Sequence, residues 1–308
     1  WYAGVKLMEE ALERGFLRAP NRNRLKFSLM WANHTWGTWP AVTGVPGMGG
    51  AVGENRGQSA WLPIRHWLDD LDRVIDYCAE HYFSQPNYLR IDGRPNFVLW
   101  DLATFTAQLG GVDGARHGIE RMQARARQNG LPGLCFTANI GCCADNIYSC
   151  GYDRVPHARA LGFETVFAYN VVRTPHYPDL PDDRPLTEYA DVIASHQHCW
   201  GEIEKWGVPH HPIVTMGYDV TPRWHRDVSL PMDFRRLVYE PIVVNNTPEQ
   251  YGELCRLALD RAQRNPAESR AIYLYAWNEW TEGAYLLPEA RYGTGYLEAL
   301  RDALRATT

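Results

Sequence analysis

The chain has 308 residues, 45% of them hydrophobic, so it can bury a full core as one large domain or two small ones. A formal net charge of -5 leaves no basic footprint for nucleic acid, and no apolar run approaches the ~20 residues that a membrane-spanning helix needs. Twelve tryptophans and seventeen tyrosines are many for this length, and they gather at predicted strand ends, which suits a carbohydrate groove better than a phosphate site.

Trp1-Tyr2 reads as the last step of a strand. Gly4 to Phe16 follows as a helix, with Val5, Met8, Leu12 and Phe16 at helical spacing, so the chain is expected to open in mid-fold. Leu25 to Trp31 is the next strand and runs into Ala32-Asn33-His34-Thr35-Trp36. After a Gly-rich loop from Gly44 to Gly57, Trp61 to Tyr82 reads as one amphipathic helix striped by Leu68, Leu71, Val74, Ile75 and Cys78. Ile91 to Pro95 (IDGRP) makes a turn into the strand Asn96 to Trp100. An arginine-rich helix, Ala115 to Asn129, is stopped by Gly130 and Pro132, and the strand Leu134 to Ala138 comes after it. Thr165 to Tyr169 is a strand ending in Tyr169-Asn170, and Leu186 to Trp206 reads as one long helix whose His196 and His198 are packing histidines. Ile213 to Met216 is a strand leading to Gly217-Tyr218-Asp219 and on to Arg223. Pro248 to Arg264 is a helix capped from Asn246-Thr247.

The last strand, Ala271 to Ala276 (AIYLYA), is apolar and aromatic and too short for a helix. Directly beyond it stand Trp277, Asn278, Glu279, Trp280 and Glu282, a mixture of acids and large aromatics that fills a core poorly. Two glutamates three apart at such a turn can reach a common cavity, and glycoside chemistry needs two carboxyl groups roughly 5 to 10 Å apart. The tryptophans offer flat faces to sugar rings, and Asn278 offers a donor and an acceptor to a hydroxyl. Gly295 to Leu304 closes the chain as a helix. Strands alternating with helices predict an α/β fold with a parallel sheet, and polar groups collected at the strand ends predict a barrel. The absence of Gly-x-Gly-x-x-Gly after any strand argues against a dinucleotide-binding sheet.

The seven cysteines are an odd number, and Cys78, Cys135, Cys199 and Cys255 read as small core residues. Cys142, Cys143 and Cys150 lack the paired spacing of a zinc site, so they are expected to be reduced and buried. Unpaired thiols favour a cytoplasmic location, and a leader removed ahead of Trp1 would place the chain in the periplasm or outside the cell. No metal or other cofactor is expected.

WANHTW (Trp31 to Trp36), IDGRPNFVLW (Ile91 to Trp100), GYDVTPR (Gly217 to Arg223) and AWNEWTEGAYLLPEARYGTGYLEAL (Ala276 to Leu300) together resemble the WbsX-type family. That family is glycosyltransferase-like and related to glycoside hydrolase family 99, the endo-α-mannosidases and endo-α-mannanases. The resemblance implies a (β/α)8 TIM-type barrel, here a single domain over residues 1–308 that lacks its first strands. It also implies that Glu282 is the general acid/base and that Glu279 deprotonates the sugar 2-hydroxyl, a retaining route through an anhydrosugar. His34 departs from the family pattern, which has an acid at that place.

The expected function is a retaining glycoside hydrolase acting on an α-linked, mannose-like glycan or a bacterial polysaccharide. The alternatives are a glycosyltransferase that builds a surface polysaccharide and an inactive carbohydrate-binding barrel. Trp31, Asn33, His34, Trp36, Tyr169, Asn170, Asp219, Arg223, Trp277 and Asn278 stand at or just past predicted strand ends and are the expected substrate-binding residues. Losing Asn33 or Asp219 is expected to raise KM and leave stability nearly intact.

Overall fold

The computed structural model describes residues 4–34, 36–37, 60–62, 64–141, 154–172, 186–219 and 242–307. Trp1-Tyr2, the Gly44–Gly57 loop, Cys142, Cys143, Cys150 and Arg223 lie outside the described residues. Two compact units share the chain: Trp1–Pro40, Pro46–Asn139 and Arg154–Val166 form the first, and Ala41–Val45, Ile140–Asp153 and Phe167–Thr308 the second.

In the first unit β1 (Leu29–Trp31), the short pair β2 (Trp36–Gly37) and β3 (Ala60–Leu62), β4 (Arg90–Ile91), β5 (Arg94–Leu99), β6 (Cys135–Asn139) and β7 (Thr165–Phe167) follow in order, the last residue of β7, Phe167, being assigned to the second unit. The sheet order is β1-β5-β6-β7, and β1 and β6 both run parallel to β5. Phe97, Val98 and Leu99 are buried on both faces, as an interior parallel strand requires. β4 folds back on β5 through Asp92 (φ 50°) and Gly93 (φ 71°), the two positive angles of a primed hairpin turn, which is why IDGRP turns as expected.

A polar row crosses the sheet. Asn96 donates to Ser28 at 3.0 Å, Thr137 donates to Asn96 at 2.7 Å, and the hydroxyls of Thr137 and Thr165 lie 2.6 Å apart. Asn96, Thr137 and Thr165 are buried, so the row satisfies its members internally.

The helix expected over Trp61 to Tyr82 begins only at Leu68 and runs to Cys78, followed by a wider turn at Ala79–Phe83. Ala60–Leu62 is instead extended and pairs with Trp36–Gly37. The stripe Leu71, Val74, Ile75 and Cys78 is buried against the helix Val112–Gln128. The arginines of that helix bind the first: Arg121 grips Asp72 at 3.0 and 2.7 Å, and Arg125 grips Asp76 twice at 2.6 Å. Near the N-terminus the expected helix is also shortened. Met8 sits at φ 64° and Val5 and Met8 are exposed, so the helical turns begin at Glu9 and run on through Ala11–Gly15.

In the second unit β8 (Leu186–Glu188) pairs in parallel with β10 (Ile242–Val244), and β9 (Ile213–Thr215) pairs in parallel with β11 (Tyr273–Tyr275). The long helix expected from Leu186 therefore starts at Tyr189 and ends at Glu204; Thr187, buried between exposed neighbours, shows the alternation of a strand. His196 is buried with both ring nitrogens engaged: Nδ1 faces the Val192 carbonyl at 2.7 Å, and Nε2 accepts from the Thr215 amide at 3.2 Å. The helix Pro248–Ala262 is capped by Thr247, whose hydroxyl accepts from the Gln250 amide at 3.4 Å, and it packs against the closing helix Gly295–Thr307. Cys78, Cys135 and Cys255 are free and buried, but Cys199 is disulfide-bonded, which corrects the expectation of unpaired cysteines at that position. All six strands read from the sequence occur, and β1-β5, β5-β6 and β9-β11 pair in parallel, but among the described residues β9 and β11 form a sheet apart from β1-β5-β6-β7 where one continuous sheet was expected.

Candidate active site

β11 is set by its neighbours before the chemistry begins. The Met216 amide donates to the Tyr275 carbonyl at 3.0 Å, Tyr273 stacks on Phe167 at 4.4 Å, and Tyr275 meets Tyr169 edge-on at 4.7 Å. Residues two apart on one strand point the same way, so these aromatic rungs form one face. Beyond the cis peptide Tyr275–Ala276, β12 (Asn278–Glu279) pairs antiparallel with β13 (Ala284–Tyr285), and a single tight turn, Trp280–Glu282, joins them. Gly283 closes that turn in the left-handed region at φ 61°. The Leu286 amide donates to the Trp277 carbonyl at 3.0 Å and so pins the base of the hairpin.

Both candidate carboxylates therefore ride on one small hairpin at the C-terminal end of a parallel strand. Each is half-buried and each accepts from a hydroxyl: Glu279 Oε1 from Thr281 at 3.2 Å, and Glu282 Oε2 from the Tyr275 phenol. Trp277 is 56% exposed and Trp280 48%, so neither completes the core. Trp280 stacks on Tyr285 at 4.2 Å, which presents its indole as a fixed plate. Asn278 is exposed beside Trp277. Acids and flat apolar faces within one hairpin can do acid–base chemistry on a ring of hydroxyls.

Asp219, expected in substrate binding, touches this hairpin through its backbone, its amide donating to the Glu282 carbonyl at 2.8 Å. Tyr169 packs on Tyr275. Asn170 is only 4% exposed, and its Oδ1 has no hydrogen-bond partner among the described residues. A buried amide oxygen in that state is a candidate acceptor for a substrate hydroxyl. Tyr275 and Thr281 were not among the expected site residues. Their signal was present in the sequence, since Tyr275 shares the strand face of Tyr273 and Thr281 lies between the glutamates.

In the first unit Trp31 and Asn33 are buried, and His34 and Trp100 are half-buried. The Asn33 amide is engaged on every side. Its Oδ1 accepts from the Trp100 and Asp101 amides at 3.0 and 2.7 Å, and its Nδ2 donates to the Asp101 carbonyl at 2.9 Å and lies 3.1 Å from His66 Nε2. His66 Nδ1 faces Gln108 Oε1, an acceptor only, at 2.9 Å, so the Nδ1–H tautomer fits both contacts. Burial pushes this histidine down to about 4, in keeping with a neutral ring. Asn33 thus fastens the ends of β1 and β5. His34 is likewise lowered by burial, against the pull of Asp101, and its ring lies 6.2 Å from that of Trp100. Trp36 belongs to β2. Among the described residues no group of three or more His, Cys, Asp or Glu could hold a metal ion.

A family model described as Glycosyltransferase WbsX matches residues 1–300. Two proteins called WxcX, from Xanthomonas campestris pv. campestris strains B100 and ATCC 33913, are 25% and 26% identical over 99% of this chain. The chain spans 38% of the length of each. Among solved structures, a glycoside hydrolase-like protein matches with a TM-score of 0.47 at 12% identity, over 77% of this chain and 60% of that one. The GH99 endo-α-mannosidase from Bacteroides thetaiotaomicron matches with a TM-score of 0.46 at 12% identity, over 78% of this chain and 61% of that one.

Proposed function

The chain belongs to the WbsX glycosyltransferase family, which is carbohydrate-active, and from that premise we propose that it is a retaining glycoside hydrolase acting on an α-linked, mannose-like glycan or a bacterial polysaccharide. The observation that carries this reading is the hairpin Asn278–Tyr285. It holds Glu279 and Glu282 at the two ends of one turn, each with a hydroxyl donor, and the neighbouring Trp277 and Trp280 are left about half exposed. Glu282 protonates the departing oxygen while Glu279 removes the proton of the sugar 2-hydroxyl, so that this oxygen attacks the anomeric carbon and the glycosidic bond breaks; water, giving its proton to Glu282, then attacks the same carbon, the bond to the 2-oxygen breaks, and Glu279 returns its proton to that oxygen. Trp277 and Trp280 provide platforms for sugar rings, and Asn278, Asn170, Tyr169 and Asp219 supply polar or flat contacts around them. Trp31, His34 and Trp36, at and beyond the end of β1, are proposed sugar contacts of their own unit, and Arg223 is one by its sequence position.

The proposed scaffold is a (β/α)8 barrel. Its support is the parallel order β1-β5-β6-β7 and the buried polar row Ser28-Asn96-Thr137-Thr165, which has the character of a layer inside a barrel. The family description favours a second reading, transfer of the sugar to an acceptor hydroxyl instead of water. Incubating the protein with α-mannans, α-glucans and bacterial polysaccharides in the absence of any nucleotide sugar separates the two. Release of reducing ends supports hydrolysis; turnover that appears only when an activated sugar donor is added supports transfer.

A further inference from the structure

We propose that Tyr275 is a positioning residue for Glu282, its phenol donating to Oε2 and fixing the carboxyl in the orientation in which it works. This rests on the reading of Glu282 as the acid/base of a glycosidase, but the pairing itself can be tested without substrate.

Tyr275 is built as a fixed donor. It is 2% exposed, its backbone is registered opposite Thr215 in β9, and its carbonyl is held by the Met216 amide. Its ring is wedged between Tyr169 at 4.7 Å and Tyr218 at 6.4 Å, so its hydroxyl has little freedom to turn elsewhere. Glu282 is brought to it from the other side. Gly283 turns the chain back tightly, and the Glu282 carbonyl is tied to the Asp219 amide at 2.8 Å. Strand and turn are thus anchored independently, and the phenol–carboxylate contact joins them. The titratable side chains on the elements packed against this turn, among the described residues, are Tyr169, Tyr218, Asp219, Glu279 and Tyr285. Asp219 and Glu279 among them would repel a negative charge on the Glu282 carboxyl. The Tyr275 phenol donates to that carboxyl, and a donor to a carboxylate favours its ionised form, so removing the hydroxyl should raise the pH at which Glu282 titrates.

The test is Tyr275→Phe, which keeps the ring in its slot and removes only the hydroxyl. Glu282 is followed by carbon-13 NMR in the glutamate-labelled full chain, with Glu282→Gln used to assign its signal. The expected result is an upward displacement of the Glu282 titration by about one pH unit in Tyr275→Phe. If the parent hydrolyses a glycan, the alkaline limb of its pH–rate profile moves up by the same amount, and kcat falls about 10-fold with KM little changed. An unmoved Glu282 titration in a folded Tyr275→Phe protein overturns the proposal. A displaced titration in a parent that turns over no glycan supports the pairing and counts against the hydrolase reading alone, so the two failures are distinct.

Discussion

The amide of Asp219 and the carbonyl of Glu282 are joined at 2.8 Å, and the next residue, Gly283, has its backbone pressed onto Asp219. A Cβ on Gly283 would lie 2.9 Å from Asp219 Cβ and 3.0 Å from its nitrogen, in a backbone conformation at φ 61° that side chains rarely adopt. Gly283→Ala is therefore expected to cost about 1–3 kcal/mol in chemical denaturation and to lower activity by displacing Glu282. Gly93→Ala serves as a comparison, because its φ is also positive, at 71°, but open space surrounds it. It should cost only about 1 kcal/mol and leave activity alone. Equal effects from the two substitutions would refute the close approach of Asp219.

Asn33→Ala should act on stability rather than on KM. The substitution strips acceptors from the Trp100 and Asp101 amides and a donor from the Asp101 carbonyl, all beneath a side chain that is 0% exposed. The Trp100 amide keeps the Trp31 carbonyl at 3.2 Å and the Asp101 carbonyl keeps the Phe105 amide at 3.2 Å, so the Asp101 amide is the group that loses its acceptor, and a loss of about 1–3 kcal/mol is expected in a denaturant titration. A stable Asn33→Ala protein with a raised KM would restore the substrate-binding role read from the sequence.

Stability should also fall on mild acidification. Burial pushes His66, His196 and His211 down to about 4 from an ordinary value of 6.5, so between these limits the unfolded chain binds the protons and the folded chain does not. The stabilisation is complete above about pH 6.5 and drains away as pH falls toward 4. For His196 the reason is geometric, since protonation would put a second N–H against the Thr215 amide. The urea midpoint is expected to drop steadily between pH 7 and 5, where ordinary carboxylates still contribute little. A flat midpoint over that range would mean that these rings are already charged, or solvated, in the folded state.

Much of this arrangement was legible in the sequence because local chemistry announced it. AIYLYA is a strand, IDGRP is a primed turn through Asp92 and Gly93, and Thr247-Pro248 starts a helix. What misled was propensity without context. Trp61 to Trp67 carry apolar residues that extend the helical pattern of Leu68–Cys78, yet Ala60–Leu62 pair with β2 instead. Leu186–Glu188 were absorbed into the following helix because three residues are too few to show a period, and their strand partner Ile242–Val244 lies far along the chain. At the site, the positions of Glu279 and Glu282 beyond β11 were readable from their spacing. The engagement of Asn33 was not, because it depends on Trp100, Asp101 and His66, which long stretches of sequence separate from it.

The division of labour between the two acids gives the sharpest test of the chemistry. Glu282 and Glu279 each have a hydroxyl partner, Tyr275 and Thr281, that an amide side chain can also accept from, so the Gln variants should keep the hairpin in place and remove only proton exchange. Glu282→Gln is expected to reduce hydrolysis of glycans with poor leaving groups by about 100- to 10,000-fold, the usual worth of a positioned acid, while sparing activated aryl glycosides, which depart with little protonation. Glu279→Gln should depress both substrate types alike, because its proton comes from the sugar itself. A 2-deoxy or 2-O-methyl substrate should be inert with the parent enzyme, having no 2-hydroxyl to become the attacking oxygen. Steady hydrolysis of either, measured as released aglycone, would eliminate the anhydrosugar route. Glu279 would then be the direct nucleophile of a conventional retaining mechanism, and a covalent glycosyl–Glu279 adduct should be trapped by a slow fluorinated substrate.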